Sequence, residues 1–233
     1  MDAKWIFWAY VVGPVGGYLL GSIPFGLLLG WSKGIDIRKG GSGNIGSTNV
    51  GRLLGRKWGY LCFFLDVAKG FIPVLVGGWF LKRSFDGDGQ AMPPAGQWAW
   101  LAIGGTCIIG HMFSLYLRFR GGKGVATSLG VVLGIWPYFT MTGVVAFLIW
   151  VGVWGLTRYV SVASMTAAIA FPVFFVLLVW QIQEWRMVNL WPLLVFAILI
   201  ATMVIVRHRS NIVRLLSGTE NRGKAAGKET TPK

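Results

Sequence analysis

Long apolar runs alternate with short polar connectors along the whole chain. The runs extend from Trp5 to Trp31, Trp58 to Leu81, Trp98 to Leu117, Val125 to Tyr138, Thr140 to Leu156, Val160 to Trp180 and Leu190 to Val206. A membrane-crossing helix needs about 20 apolar residues, with a range of about 17–25. The pattern predicts an all-α integral membrane protein, a bundle of seven transmembrane helices. The fourth run is short and closes at Trp136-Pro137. It is either a tilted span or a core helix inside the bundle, in which case six spans remain. Trp5, Trp31, Trp58, Trp98, Trp136, Tyr138, Trp180 and Trp191 stand near run ends. Aromatic side chains collect there at both membrane interfaces, and the remaining Trp residues pack in the core.

Small residues recur at four-residue intervals in the first run: Gly13, Gly17 and Gly21, and separately Ser22, Gly26 and Gly30. Such stripes let neighbouring helices approach closely. Composition agrees with the pattern. Of 233 residues, 55% are hydrophobic and 13% charged, against about 25% charged in soluble domains. The first run begins almost at Met1 and is too long for the apolar core of a cleavable signal peptide. Cys62 and Cys107 fall inside apolar runs and read as small packing residues, not as a disulfide or a metal site.

Charge sets the orientation. Six Lys and Arg residues lie between Ser32 and Lys57, three between Arg118 and Lys123, one at Arg158 and seven from Arg207 onward. These seventeen face Lys4, Lys82, Arg83 and Arg186 on the other side, and Lys69 lies within a run. Positive residues stay in the cytoplasm, so the amino terminus is expected outside and the carboxyl terminus inside. The net charge of +14 then faces anionic membrane lipids. Nucleic acid is not expected as a partner, because the charges flank spans and do not form one basic module. Residues 1–220 read as a single transmembrane domain, and 221–233 as a disordered basic cytoplasmic tail.

Polar chemistry gathers in three connectors on the cytoplasmic side. The first, "GGSGNIGSTNVGR", contains the spacing G-x-G-x-x-G at Gly41, Gly43 and Gly46. A dinucleotide site would need a strand before it, a helix after it and an acidic residue about 20 positions on. A membrane run precedes it, and the nearest downstream acid, Asp66, lies inside the next run, so the nucleotide reading fails. The second, "RFRGGKGVAT", fails as a phosphate-binding P-loop because Leu117 and Gly124 stand where Gly and Ser/Thr are required. The physics common to both motifs survives. Glycines let backbone N–H groups approach an oxyanion, a helix start adds donors and a positive dipole end, and Lys123 and Arg52 add charge.

The third connector, "RHRSNIVRLLSGTE", places His208 and Asn211 three residues apart, on one face of a helix. They serve either as base or positioner, or the segment is an amphipathic helix whose Arg residues touch head groups. Asp66 and Lys69 sit three apart inside the second run and read as a structural pair. His111, in the third, is expected to bond a backbone carbonyl.

Together "GSGNIGSTNVGR", "GHMFSLYLRFRGGKGVAT" and "HRSNIVRLLSGTE" resemble the three cytoplasmic motifs of the bacterial acyl-phosphate:glycerol-3-phosphate acyltransferase family. "GSIPFG" and "DVAKG" fit as well, and the resemblance covers about Gly21 to Glu220. It implies a seven-helix enzyme of the bacterial cytoplasmic (inner) membrane. Such an enzyme moves a fatty acyl chain from acyl-phosphate to the sn-1 hydroxyl of glycerol 3-phosphate, giving lysophosphatidic acid and phosphate. No cofactor or metal is implied, and a soluble enzyme that makes acyl-phosphate would be a functional partner. Carried over by position, Ser42, Thr48 and Arg52 fall on functional residues of the first motif, with Gly41, Gly43 and Asn49 beside them. Lys123 with Gly121, Gly122 and Gly124 falls on the second, and His208 and Asn211 on the third. Ser161 matches a further substrate-contacting serine. The catalytic candidates are Ser42, Lys123, His208 and Asn211. Ser114 replaces a proline common in the family, and the loop from Lys82 to Gln97 and the tail beyond Glu220 are peculiar to this chain.

The residues fit direct attack on an already activated acyl donor, without an acyl-enzyme, since no Ser-His-Asp grouping is evident. The alternative class is a membrane carrier of phosphorylated or anionic lipids. An H-x-x-x-x-D acyltransferase is disfavoured, because Tyr116 and Val213 occupy the fifth position after the two histidines.

Overall fold

The computed structural model describes residues 3–85 and 92–222. The expected peculiarity of loop 82–97 falls partly outside these residues, and that of the basic tail mostly so. All regular elements among the described residues are helical. Helix α1 (Ala3–Phe7) passes through one π-helical turn (Trp8–Val12) into α2 (Gly13–Ser22), followed by α3 (Phe25–Trp31). Then come α4 (Ser47–Leu54), α5 (Arg56–Phe85), α6 (Pro94–Met112), α7 (Val125–Gly134) and α8 (Tyr138–Thr157). The chain continues with α9 (Val160–Gln181), α10 (Met187–Arg207) and α11 (Arg209–Leu216).

Among the described residues six stretches are long and apolar enough to cross a membrane: Trp5–Trp31, Arg56–Ser84, Pro94–Leu117, Tyr138–Thr157, Val160–Gln181 and Met187–Arg207. The fourth apolar run forms only the ten-residue α7. At 1.5 Å per residue it is about 15 Å long, roughly half the hydrocarbon thickness of about 30 Å. Its buried positions include Thr127, Ser128, Gly130, Val131 and Val132. Helix α7 is thus a short helix packed inside the bundle.

The first apolar run is not one helix. Ile23 leaves the α region at φ −58°, ψ 119°, and Pro24 separates α2 from α3. Proline lacks an amide hydrogen and pushes the residue before it toward extended backbone. At the break the Ile23 carbonyl accepts from the Phe25 N–H at 3.1 Å and from Lys69 Nζ at 2.8 Å.

Both small-residue stripes are packing faces. A methyl group on Gly17 would lie 2.8 Å from the Ile103 carbonyl, and one on Gly21 would overlap Cys107, so α2 lies directly on α6. The second stripe meets the first polar connector, where Gly26 touches the Ile45 carbonyl. Helices α5 and α7 interlock reciprocally: Gly130 faces the Val67 carbonyl and Gly70 faces the Thr127 carbonyl. The main core is aromatic between α8, α9 and α10. The Phe139 ring stands 5.0 Å from Phe171, 5.5 Å from Phe175 and 6.4 Å from Phe196, centroid to centroid. A smaller cluster of Leu27, Ile37, Ile45, Val50 and Cys62 supports the first polar connector from below. Cys62 and Cys107 are buried and unpaired in any disulfide.

The α5–α7 contact gives a stability test. Gly130→Ala forces a methyl against backbone and should cost about 1–3 kcal/mol, seen as a lower melting temperature in detergent. Gly152→Ala, which meets no neighbouring atom within 4 Å, should leave that temperature unchanged or higher.

Candidate active site

A cavity of about 350 Å³ opens where the three polar connectors meet. Its polar end is lined by Ser42, Thr48, Asn49 and Arg52, by Lys123 and Gly124, by Ser161, and by His208 and Asn211. All four catalytic candidates therefore share one cavity. Gly41, Gly43, Gly121 and Gly122 do not line it; they shape the loops behind its wall. Asn44, Ser47, Arg214, Glu220, Asp66 and His111 also line it, and sequence reasoning had not placed them there.

The first loop is held from within by Asn49, which is 1% exposed. Its Nδ2 donates to the carbonyls of Ile37 (3.0 Å), Gly40 (3.2 Å) and Asn44 (2.9 Å), and its Oδ1 accepts from the Ser42 N–H at 2.8 Å. The amide is fully engaged inside the loop, so Asn49 is its brace. Gly41 and Gly43 take φ values of +59° and +68°, which lets the chain curl tightly around that amide. Asn44 Oδ1 accepts from the Gly46 N–H at 2.9 Å, immediately before α4.

The second loop differs from expectation in where its donors point. Gly121 N–H donates to the Met112 carbonyl and Gly122 N–H to the His111 carbonyl, each at 3.0 Å. These two amides anchor the loop to the end of α6 and are not available to an anion. The donors that remain belong to helix starts. The first turns of α4 (Ser47, Thr48), α7 (Val125, Ala126) and α9 (Val160, Ser161) all line the cavity. Unpaired amides and the positive dipole end of each helix favour negative charge there. At the start of α7, Gly124 takes φ +85°, a turn that L side chains resist.

Lys123 Nζ donates to Asn211 Oδ1. Burial lowers its pKa to about 8. His208 is 2% exposed and sits at the junction of α10 and α11, not inside one helix face. Its Nδ1 lies 2.7 Å from the Val204 carbonyl, which fits a neutral ring donating from Nδ1 and keeping Nε2 as acceptor. Burial lowers its pKa to about 4, so it is uncharged at neutral pH.

Glu220 closes the polar end. Its Oε1 accepts from Ser161 Oγ at 2.8 Å and Asn211 Nδ2 at 2.6 Å, and its Oε2 accepts from Arg214 Nε at 2.7 Å. Burial opposes ionisation of this carboxyl. The bonds from Asn211, Arg214 and Ser161 outweigh that and hold its pKa below the usual range. Arg214 thereby lines the cavity, while its side chain keeps 37% of its surface exposed.

Asp66 and Lys69 pair at 2.6 Å, as expected of a structural pair. His111 departs from expectation. It bonds no backbone carbonyl through its ring, and its Nδ1 lies 3.7 Å from Asp66 Oδ1. No group of three or more His, Cys, Asp or Glu among the described residues could hold a metal ion.

Beyond the polar end the cavity continues as an apolar arm between α7, α8, α9 and α10. On α9 its wall runs Ser161, Ser164, Ala167, Ala168, Phe171. Ten residues of helix separate Ser161 from Phe171, so the arm reaches about 15 Å into the bundle. A site that is cationic at one end and oily along the rest suits an amphiphile with an anionic head.

A family model described as glycerol-3-phosphate acyltransferase matches residues 11–218. The chain belongs to the glycerol-3-phosphate acyltransferase family. It is 42% identical over 205 residues to the glycerol-3-phosphate acyltransferase of Aquifex aeolicus (strain VF5), covering 88% of this chain and 94% of that one. It is 44% identical over 208 residues to that of Geotalea daltonii, covering 89% and 94%. The fold resembles crystal structures of PlsY (YgiH), an integral membrane glycerol 3-phosphate acyltransferase. The glycerol 3-phosphate form gives a TM-score of 0.76 at 41% identity, covering 92% of this chain and 95% of that one. The lysophosphatidic acid form gives 0.74 at 40%, covering 91% and 94%. This integral membrane acyltransferase thus carries its polar motifs at one end of an amphiphilic cavity, and the carrier alternative falls away.

Two measurements probe the electrostatics. Lys123 is charged below its pKa and loses that charge above it, so kcat/KM of the acyltransferase should fall as pH rises through about 8. Lys123→Arg, which stays charged, should move that fall to higher pH. Glu220→Ala leaves Ser161, Asn211 and Arg214 without their common acceptor. It should cost on the order of 2 kcal/mol, read as a lower melting temperature together with lost activity, whereas Ser217→Ala should change neither.

Proposed function

We propose that this enzyme transfers a fatty acyl group from acyl-phosphate to the sn-1 hydroxyl of glycerol 3-phosphate, releasing lysophosphatidic acid and inorganic phosphate. The observation that carries this reading is the two-part cavity: cations and three helix starts at one end, a 15 Å apolar arm at the other. Both substrates carry phosphate for the polar end, and the acyl chain fits the arm.

In the proposed reaction the sn-1 oxygen attacks the acyl carbonyl carbon and the bond from that carbon to the phosphate oxygen breaks. Phosphate departs with the bonding pair, and the hydroxyl proton passes to His208 Nε2 or to a substrate phosphate oxygen. The donor is already activated, so positioning and charge stabilisation are the main tasks. Lys123 and Arg52 hold phosphate, with Arg52 able to grip two oxygens at once. Ser42 and Thr48 donate beside them, and Asn211 orients the acceptor. Ser161 is bonded to Glu220, which supports a bracing role over a nucleophilic one.

The reading places the enzyme in the bacterial cytoplasmic membrane, amino terminus outside and the cavity's polar end facing the cytoplasm. The seventeen-to-four distribution of Lys and Arg supports it. Helix α7 serves as a short seventh crossing element. Lys123 before α7 and Ser161 after α8 both meet the Asn211–Glu220 group, so α8 returns the chain across whatever distance α7 covers. Residues 1–220 act as one domain, and the acyl-phosphate is supplied by a soluble enzyme.

Purified protein in detergent should release phosphate from acyl-phosphate when glycerol 3-phosphate is added, and should leave acyl-CoA intact. Lys123→Ala and Arg52→Ala should each lose on the order of 100-fold in kcat/KM. Equal use of acyl-CoA would defeat the donor assignment, and an acyl group trapped on Ser42 or Ser161 would defeat direct attack.

A further inference from the structure

Three sequence features have no part in the transfer chemistry above: "GSIPFG", "DVAKG" and His111. In the fold they meet as one buried series of contacts. Pro24 breaks the first span, and the Ile23 carbonyl at the break accepts from the Phe25 N–H and, at 2.8 Å, from Lys69 Nζ. Lys69 Nζ pairs with Asp66 Oδ1 at 2.6 Å, and the same oxygen lies 3.7 Å from His111 Nδ1. Asp66, Lys69 and His111 are 2%, 6% and 3% exposed. The far edge of the imidazole supports the second glycine loop, since a methyl on Gly122 would overlap His111 Nε2. The backbone at the same point fixes the loop as well, through the His111 and Met112 carbonyls. From the opposite side Arg207 donates to the carbonyls of Gly122 at 2.7 Å and Gly121 at 3.4 Å. The next residue is Lys123.

Stability alone does not account for such a cluster. Desolvating two charges offsets much of their attraction, and apolar replacements of equal volume are often as stable. What an ion pair with a ring beside it supplies is a fixed position. It also lies at the site, because Asp66 and His111 reach the cavity wall. His111 is not disposed to take a substrate proton, since Gly122 covers Nε2 and Asp66 faces Nδ1.

We propose that Asp66, Lys69 and His111 are positioning residues of the transfer reaction. They set the height and tilt of the Gly121–Gly122 loop so that Lys123 meets the substrate phosphate, and His111 is the member that bears on the loop. The proposal rests on the reading that Lys123 holds a phosphate. A misplacement of about 1 Å at a reacting centre can cost up to about 100-fold, so a small tilt of this loop is enough to be felt.

The test uses full-length protein in detergent, with phosphate release measured against acyl-phosphate and glycerol 3-phosphate, each varied in turn. Lys123→Ala identifies the substrate whose KM depends on that lysine. His111→Gln and Gly122→Ala should raise that same KM by about 10-fold and leave the other within about twofold. Asp66→Asn combined with Lys69→Met replaces the pair by neutral groups of similar shape and should give the same signature. Gly122→Ala disturbs the loop without touching the charges, so the test survives a cluster variant that does not fold. A lower kcat with both KM values unchanged is what fewer folded molecules would give, and would overturn the proposal. Loss of the acidic limb of the pH profile in His111→Gln would overturn it too, by making His111 a proton acceptor. If the unaltered protein releases no phosphate from acyl-phosphate, the functional reading fails and takes the proposal with it. Release with unmoved KM values defeats the positioning role alone.

Discussion

Every polar group enclosed in a helical membrane bundle must find its partner inside the protein, because lipid offers none. The Glu220 carboxylate meets this demand for one side of the cavity's polar end. It accepts from α9 through Ser161 and from α11 through Asn211 and Arg214, and Asn211 in turn accepts from Lys123 ahead of α7. Segments far apart in the chain are thus tied to one pair of oxygens. The same carboxylate counters part of the positive charge of Lys123 and Arg214. The rule recurs deeper in the bundle. Trp100 Nε1 donates to the Val74 carbonyl, and Gln97 Nε2 donates to the Met92 and Asn189 carbonyls. The Ile23 carbonyl, at the break beside Pro24, accepts from the Phe25 N–H and from Lys69 Nζ.

The two glycine-rich loops solve different problems with similar letters. In the first, glycines at positive φ let the backbone wrap the Asn49 amide, which takes the place of a small core. In the second, glycines let the chain lie flat on His111 and the end of α6. In neither is the glycine amide itself the main anion donor. The first turns of α4, α7 and α9 line the one cavity instead. The loops are mounts, and the helix starts are what they mount.

Much of this was visible in the letters because it depends on local composition. Apolar run length gives the long helices, and four-residue glycine spacing gives the α2–α6 contact. Ser42, Arg52, Lys123, His208 and Asn211 could be picked out because polar residues concentrate in connectors that lie on one side. The Pro24 break was also written there, in a proline within an apolar run, but the run's length masked it. Glu220 was harder. It closes a motif, yet its partner Ser161 is 59 residues away, and no local pattern links them. Asn49 looked like a ligand because a polar residue in a glycine loop resembles one. Only the fold shows its amide turned toward the carbonyls of Ile37 and Gly40. The orientation of the Gly121 and Gly122 amides was hidden for the same reason, since their acceptors lie on α6.

The position of Glu220 also sets the order in which the molecule becomes competent. It lies beyond α11, after every helix of the bundle has been made. A chain still being synthesised can insert its spans, bury its glycine stripes and bring Lys123 beside α9. It cannot join Ser161, Asn211 and Arg214 until the last turn has emerged and folded back. Assembly of the bundle and completion of its polar end are therefore separate events in time.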